Sequence, residues 1–331
     1  MISAHNPIWL GRDPDRCHTL ALTGKGQAMA ARIGSPHVIL AAFAAVVLWG
    51  ASSVATKFAV TTLSPLLVAL LRTSLAGAAA LPLVLALRLP PPREAGHRRG
   101  VALLAISGFV AFPVLFSLGQ ALTSAVHGAM LLAVLPVATG AIALGWDRRW
   151  PSFKWWLGCG IAVAGEVVLA LGRPSPGGAA SSLAGNALVL LSVLFGALGN
   201  VTGGRLQQAG YPAKAATLWS AVFATVLLCP VWAWAVSDVP WQHVTPAAWA
   251  GVVYLAFGVT ILGYTLWYWA LGRGGIARVG LLQFLQPVSG VFLAWLLLDE
   301  RLTGSALLAA AIILLGVGIA TRRTPRLREY G

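Results

Sequence analysis

Apolar residues fill this chain in runs of about twenty, the length a helix needs to cross a bilayer, and short polar joints separate the runs. Ten runs follow one another, at 37–59, 64–87, 100–121, 124–145, 154–172, 184–205, 212–236, 246–270, 277–298 and 304–321. Apolar and polar positions do not alternate within them, as they would in membrane-barrel strands. In lipid each backbone N–H and C=O must be bonded inside its own segment, so runs of this kind are helices. The pattern predicts an all-α membrane protein with ten transmembrane helices. The clearest joints are 88–99 with its prolines, 147–154, and the Gly/Ser/Pro-rich 173–182. None is long enough for a soluble domain. Residues 1–36 are polar and lack the apolar stretch of a signal peptide. They read as a disordered cytoplasmic tail, with Met29 as a second candidate start. Residues 322–331 form a basic tail.

The runs also repeat. Ala121–Arg173 holds an apolar run with Pro136, a turn Asp147-Arg148-Arg149, and a second apolar run. Ala270–Thr321 follows the same plan with Pro287 and the turn Asp299-Glu300-Arg301. Ten helices then divide into two sets of five. Five is odd, so the second set enters the membrane from the opposite side. That is an inverted repeat, the plan of many secondary transporters. Its halves are 37–173 (helices one to five) and 184–321 (helices six to ten).

Charge assigns the sides. With the N-terminus cytoplasmic, that side collects Arg12, Arg16, Lys25 and Arg32, then Arg88, Arg93, Arg98 and Arg99. Arg148, Arg149, Lys154, Arg205, Lys214, Arg273, Arg278, Arg322, Arg323, Arg326 and Arg328 join them. The other side keeps Lys57, Arg173 and Arg301. The positive-inside bias places both termini in the cytoplasm and the chain in the inner (plasma) membrane.

Composition agrees. Of 331 residues, 58% are hydrophobic and 10% charged, against about 25% charged in ordinary soluble domains. The net charge of +14 comes from the loops, and no nucleic-acid-binding motif accompanies it. Cys17, Cys159 and Cys229 form no C-x-x-C and give no zinc site or disulfide framework. No phosphate-binding G-x-x-x-x-G-K-[ST] loop occurs, which argues against ATP-driven transport. No cofactor, metal or catalytic residue is expected.

Several motifs stand in order along both halves. The first carries Leu48-Trp49-Gly50, Lys57, Ser64-Pro65, Arg72, Ala121-Leu122, Pro136 and Gly165. The second carries Tyr264, Tyr268-Trp269-Ala270-Leu271, Pro287, Glu300-Arg301-Leu302-Thr303 and Gly316. Over roughly residues 37–321 the chain resembles the EamA-type members of the drug/metabolite transporter superfamily. It departs from their pattern at Asp299 (usually Gly), at Asp147-Arg148-Arg149 (usually Gly-Glu-Arg) and at Phe195-Gly196 (Trp-Gly in the pattern). The resemblance implies ten helices in two EamA-like repeats, a central cavity, and secondary transport of amino acids, metabolites or drugs, often outward.

Charged and polar groups inside spans are costly and mark the candidate chemistry. Arg72 lies about 12 Å into the second run at the ~1.5 Å helical rise, where it could hold a substrate carboxylate. Lys57 stands nearer a helix end, where snorkelling is the plainer reading. Glu166 is the acidic residue well inside a span. It could pair with Arg72 or carry a coupling proton. His127 opens the fourth span nine residues before Pro136, as Arg278 stands nine before Pro287. It reads as an interfacial residue or as a proton-linked gate. Gln283, Gln286 and Gly290 share one face beside Pro287, and prolines 136 and 287 should bend their helices. The two glutamines line a cavity or bond a neighbouring helix. Tyr264, Trp267, Tyr268 and Leu271 form a stripe, with Tyr268 and Trp269 also readable as an interfacial belt. Trp49 and Asn200 lie mid-span. The candidate cavity set is Trp49, Arg72, Asn200, Tyr264, Gln283 and Gln286. The coupling or gating set is Glu166, His127 and Lys57.

The expected function is secondary transport by alternating access, with an organic solute, the bilayer and protons as partners and export as the direction. Two other classes compete. A membrane-embedded lipid enzyme needs clustered His, Asp, Glu or Cys at a membrane face, and the spans hold one acid. A membrane scaffold or sensor would be favoured by a large soluble extension.

Overall fold

The computed structural model describes residues 36–122, 131–148, 150–171, 182–235, 239, 241–298 and 304–321. Among them every regular element is helical, and ten helical units follow in order. α1 is Pro36–Ala59 and α2 is Pro65–Ala86. α3 joins Ala95–Leu104, a π-helical stretch Ala105–Ala111 and Phe112–Leu122. α4 contains Leu135–Trp146, α5 is Phe153–Leu171, α6 is Leu183–Gln208 and α7 is Ala213–Ala235. α8 joins Pro246–Val253, a second π-helical stretch Tyr254–Gly263 and Tyr264–Gly274. α9 runs from Ile276–Val279 through a 3-10 stretch Gly280–Phe284 to Leu285–Leu298, and α10 is Gly304–Thr321. Among the described residues six units, α2, α3, α6, α7, α8 and α10, are by themselves long and apolar enough to cross a membrane. Leu85, Val226, Leu307 and Leu315 point outwards, where lipid replaces water and no burial is needed.

Local chemistry sets the helix starts. Ser64 accepts the Leu67 N–H at 3.3 Å and Pro65 follows at the first turn. Thr245 and Pro246 repeat the device, with the Ala248 N–H donating at 3.2 Å. A capping hydroxyl satisfies an orphan N–H, and a proline loses nothing where no intrahelical donor is required. α3 starts at Ala95, earlier than the hydropathy suggests, so Arg98 and Arg99 lie in its opening turns.

The packing has an internal two-fold. α1 packs on α8 and α9, and α6 packs on α3 and α4; α2 pairs with α7, and α5 with α10. Exchanging each helix for the one five places on leaves these pairings unchanged. The two π stretches fall in α3 and α8, which are exchange partners. Helix breaks fall in the partners α4 and α9 as well. A turn at 133–134 precedes Pro136, and the 3-10 stretch precedes Pro287. Each proline lacks the N–H that would bond the residue four back. The protein is thus an all-α membrane protein of two five-helix repeats in opposite orientation.

Glycine permits the closest crossings. A Cβ on Gly316 would lie 2.5 Å from Ala162 N and 2.6 Å from Gly158 O, and one on Gly158 would lie 2.4 Å from Ala320 N. This joins α5 to α10, as small residues do where backbones must approach in lipid. The helix ends sort in the same way. The Ser182 hydroxyl donates to Leu122 O at 2.7 Å between the end of α3 and the start of α6. At the opposite end, Arg205 meets Asp147 at 2.7 Å and the Tyr211 hydroxyl donates to Pro90 O at 2.9 Å.

Candidate substrate site

Polar and aromatic side chains converge where α1, α2, α3 and α8 meet. Trp49 of α1 donates through Nε1 to Val259 O at 3.2 Å. Val259 lies in the π stretch, where the regular i→i+4 ladder is interrupted. Gly263 leaves room for the indole, since a Cβ there would be 2.7 Å from Nε1. The Trp49 ring sits 5.1 Å from Tyr264 and 5.1 Å from Trp267. Phe109 of α3 packs 5.1 Å from Tyr264, and Tyr268 stacks on Tyr264 at 5.4 Å. These separations and tilts suit ring quadrupoles.

Arg72 reaches this cluster from α2. Its guanidinium lies beside the Tyr264 hydroxyl, while Nε is buried without a hydrogen-bond partner among the described residues. A guanidinium carries five donors, so a phenol leaves capacity for a further acceptor. Beside it, Pro113 cannot bond the Phe109 carbonyl, which instead accepts from the Thr73 hydroxyl at 3.4 Å.

A second group adjoins the first through Trp267. Its Nε1 donates to Asn200 Oδ1 at 3.1 Å. Asn200 Nδ2 donates to Thr139 Oγ1 and to Gln283 Oε1, each at 3.2 Å. Thr139 passes its own proton to Leu135 O at 2.9 Å. All four side chains are buried, Asn200 at 4% exposure. One amide therefore ties α6 to α4, α8 and α9, and its hydrogen-bonding groups are occupied. In this conformation Asn200 serves as interhelical glue.

The structure thus brings Trp49, Arg72, Tyr264, Asn200 and Gln283 into one continuous cluster. Gln286 lies beside it: a Cβ on Gly50 would be 3.0 Å from the Gln286 carbonyl and 2.8 Å from Gly290 N, so α1 and α9 touch backbone to backbone there. Ser289 Oγ donates to Val46 O at 3.3 Å across the same crossing. Pro136 and Pro287 sit at the broken starts of α4 and α9, with the Gln283 side chain at the second break. Glu166 is half-buried on α5, which packs on α10, and Arg72 of α2 lies beside Tyr264. His127 and the Asp299–Arg301 turn lie outside the described residues, as does the side chain of Lys57.

Tyr268 is not an interfacial belt residue. It is fully buried, and a Cβ on Gly203 would meet its ring at 2.3 Å. Gly203 therefore makes room for the tyrosine, and Gly199 lets α6 approach Gly108 of α3, where its Cβ would be 2.9 Å from Cα. Trp269 is half-buried against the core, with the Arg273 guanidinium 4.5 Å from its ring centroid. Sequence reasoning missed Phe109 and Thr139. The available signals were Pro113 four residues after Phe109 and Pro136 one turn before Thr139.

The profile of the EamA-like transporter family matches residues 37–171 and again 183–322. A relative from Bacillus subtilis named "Uncharacterized transporter YdeK" is 30% identical over 285 residues, 85% of this chain and 95% of its own. One from Escherichia coli, named "Probable amino-acid metabolite efflux pump", is 30% identical over 282 residues, 83% of this chain and 91% of its own. A Streptantibioticus cattleyicolor protein named "Probable terminal-alkyne amino-acid exporter" is 25% identical over 228 residues, 68% of this chain and 73% of its own. A solved crystal structure superposes with a TM-score of 0.70 at 20% identity, covering 86% of this chain and 96% of that one, which shows the fold alone.

Proposed function

Because the chain belongs to the EamA-like transporter family, and is a transporter rather than an enzyme, we propose that it exports an amino acid or a similar zwitterionic metabolite from the cytoplasm by alternating access. The supporting observation is the buried Arg72 guanidinium beside Tyr264, whose ring packs with those of Trp49, Phe109 and Tyr268. A substrate carboxylate would bond the guanidinium in two places, a charge-assisted pairing about twice as strong as a neutral one. The aromatic faces would receive the ammonium or an apolar side chain. The names of the relatives from E. coli and S. cattleyicolor agree with such a cargo.

In the described conformation the rings fill the centre, with Trp267 and Tyr268 fully buried. Admitting a substrate then requires the repeats, which we take as 37–173 and 184–321, to move apart. The breaks ahead of Pro136 and Pro287 and the two π stretches are the points where such motion costs fewest helix bonds. Ligand shifts the balance by binding the two states unequally. Proton coupling falls to Glu166, the half-buried acid of α5, and the basic loop ends support a reading with both termini in the cytoplasm of an inner-membrane protein.

Counterflow in proteoliposomes tests the function. Vesicles loaded with unlabelled amino acids should draw in the matching labelled one, and Arg72→Gln should slow this at least tenfold. Glu166→Gln should keep exchange while losing proton-driven accumulation. Counterflow of neutral or cationic solutes with none of amino acids or other carboxylates would refute the cargo.

A further inference from the structure

A cleft of about 500 Å³ lies away from the central cluster, at the arginine-rich end of α2. Val84, Leu85, Arg88, Pro90, Arg93 and Trp219 line it. Three features of the cleft act together. Its floor is apolar and reaches the lipid-facing side, since Leu85 is 68% exposed. Its rim carries two guanidinium groups. Its α7 wall is formed by Trp219, and indoles favour the headgroup level of a bilayer.

The backbone that presents Arg88 is costly. The Arg88 N–H bonds Leu85 O at 3.1 Å and the Leu89 N–H bonds Val84 O at 2.9 Å, so Arg88 closes α2 in a left-handed cap with φ of 49°. Glycine is the usual residue there because a Cβ crowds the backbone. Gly210 fills the corresponding position after α6 with φ of 87°, and the Gly210 and Tyr211 N–H groups repeat the two cap bonds to Gln207 O and Leu206 O. The first repeat instead keeps arginine, at Arg88 and at Arg148 (φ 52°) after α4. Arg88 lines the cleft, whereas Arg148 is exposed outside it. The rest of the rim is fixed in advance. Tyr211 bonds Pro90 O at 2.9 Å, Arg98 bonds Arg93 O, and Pro90, Pro91 and Pro92 stiffen the joint. A backbone already held in place reduces the ordering that binding must impose.

We propose that this cleft binds an anionic phospholipid of the adjoining leaflet. Arg88 and Arg93 take the headgroup phosphate by charge-assisted bonds, the Trp219 ring packs beside the glycerol region, and an acyl chain lies along Val84 and Leu85. The apolar floor at a helix end exposed to lipid selects a lipid over a soluble phosphate. Basic pockets at this depth are the usual places for anionic headgroups.

The test uses the full-length protein in detergent, titrated with phosphatidylglycerol or with phosphatidylcholine of the same chains while thermal unfolding is followed. Phosphatidylglycerol should raise the unfolding temperature and phosphatidylcholine should not, because only a ligand that favours the folded state stabilises by mass action. R88G separates binding from folding. It relieves the left-handed cap, so its unfolding temperature in phosphatidylcholine should match or exceed the wild type, while its apparent affinity for phosphatidylglycerol falls about tenfold or more. R93Q should weaken the same response, and R148G, which relieves the other cap outside the cleft, should retain it. Three results would overturn the proposal: an undiminished response in R88G, an equal loss in R148G, or a full response to inorganic phosphate or glycerol phosphate alone.

Discussion

Asn200→Ala is the most informative single change in the interior. It deletes three hydrogen bonds at once, from Trp267 and to Thr139 and Gln283. Interhelical bonds in membrane proteins average about 0.6 kcal/mol each, which gives about 2 kcal/mol for the set. The truncation also leaves the fully buried Trp267 N–H without an acceptor, which adds about 1 kcal/mol. The expected loss is about 3 kcal/mol, or roughly 6 °C at ~2 °C per kcal/mol for a chain of this size. Trp267→Phe alone removes one bond and should cost about 1 kcal/mol. The double variant should be less unstable than the sum by about 1 kcal/mol, because the orphaned donor no longer exists. The assay is thermal unfolding of all four proteins in one detergent. Strict additivity, or an Asn200→Ala loss below about 0.5 kcal/mol, would refute the claim that this amide holds α4, α6, α8 and α9 together.

Gly316→Ala should destabilise by about 1–3 kcal/mol through overpacking, because its Cβ would meet the α5 backbone at 2.5 Å; Gly318→Ala, with nothing within 4 Å, should be neutral or slightly stabilising in the same thermal melt. Burial pushes the Tyr211 hydroxyl up to about 12 from its usual 10, so its stabilisation is intact below pH ~10 and falls as pH rises from about 10 to 12, where the unfolded chain ionises and the fold does not. Tyr211→Phe should flatten that alkaline decline in a pH series of unfolding temperatures.

The architecture was legible because lipid imposes few solutions. Runs of helix length, a proline in each of two similar blocks, and arginines gathered in alternate joints carried it. Ser64-Pro65 was visible as a motif, and its physical content proved to be a capped helix start. The π stretches were not legible. Bonding to the fifth residue instead of the fourth leaves no mark on an all-apolar run such as Tyr254–Gly263. At the site, Arg72, Asn200 and Gln283 stood out because polar groups are rare in spans. Thr139 did not, since a threonine in an apolar run can bond its own helix. Its tie to Asn200 depends on a crossing between helices sixty-one residues apart in the chain. Tyr268 misled as an aromatic near a helix end until Gly203 was seen to make room for its ring.

The central claim is that Arg72 recognises a substrate carboxylate inside the aromatic cluster. The most direct measurement is competition of an exported amino acid and its methyl ester against labelled counterflow, in the wild type and in Arg72→Gln. The wild type should prefer the free acid at least tenfold, and Arg72→Gln should treat acid and ester alike. A preference for the acid that survives intact in Arg72→Gln would place carboxylate recognition elsewhere and contradict the account.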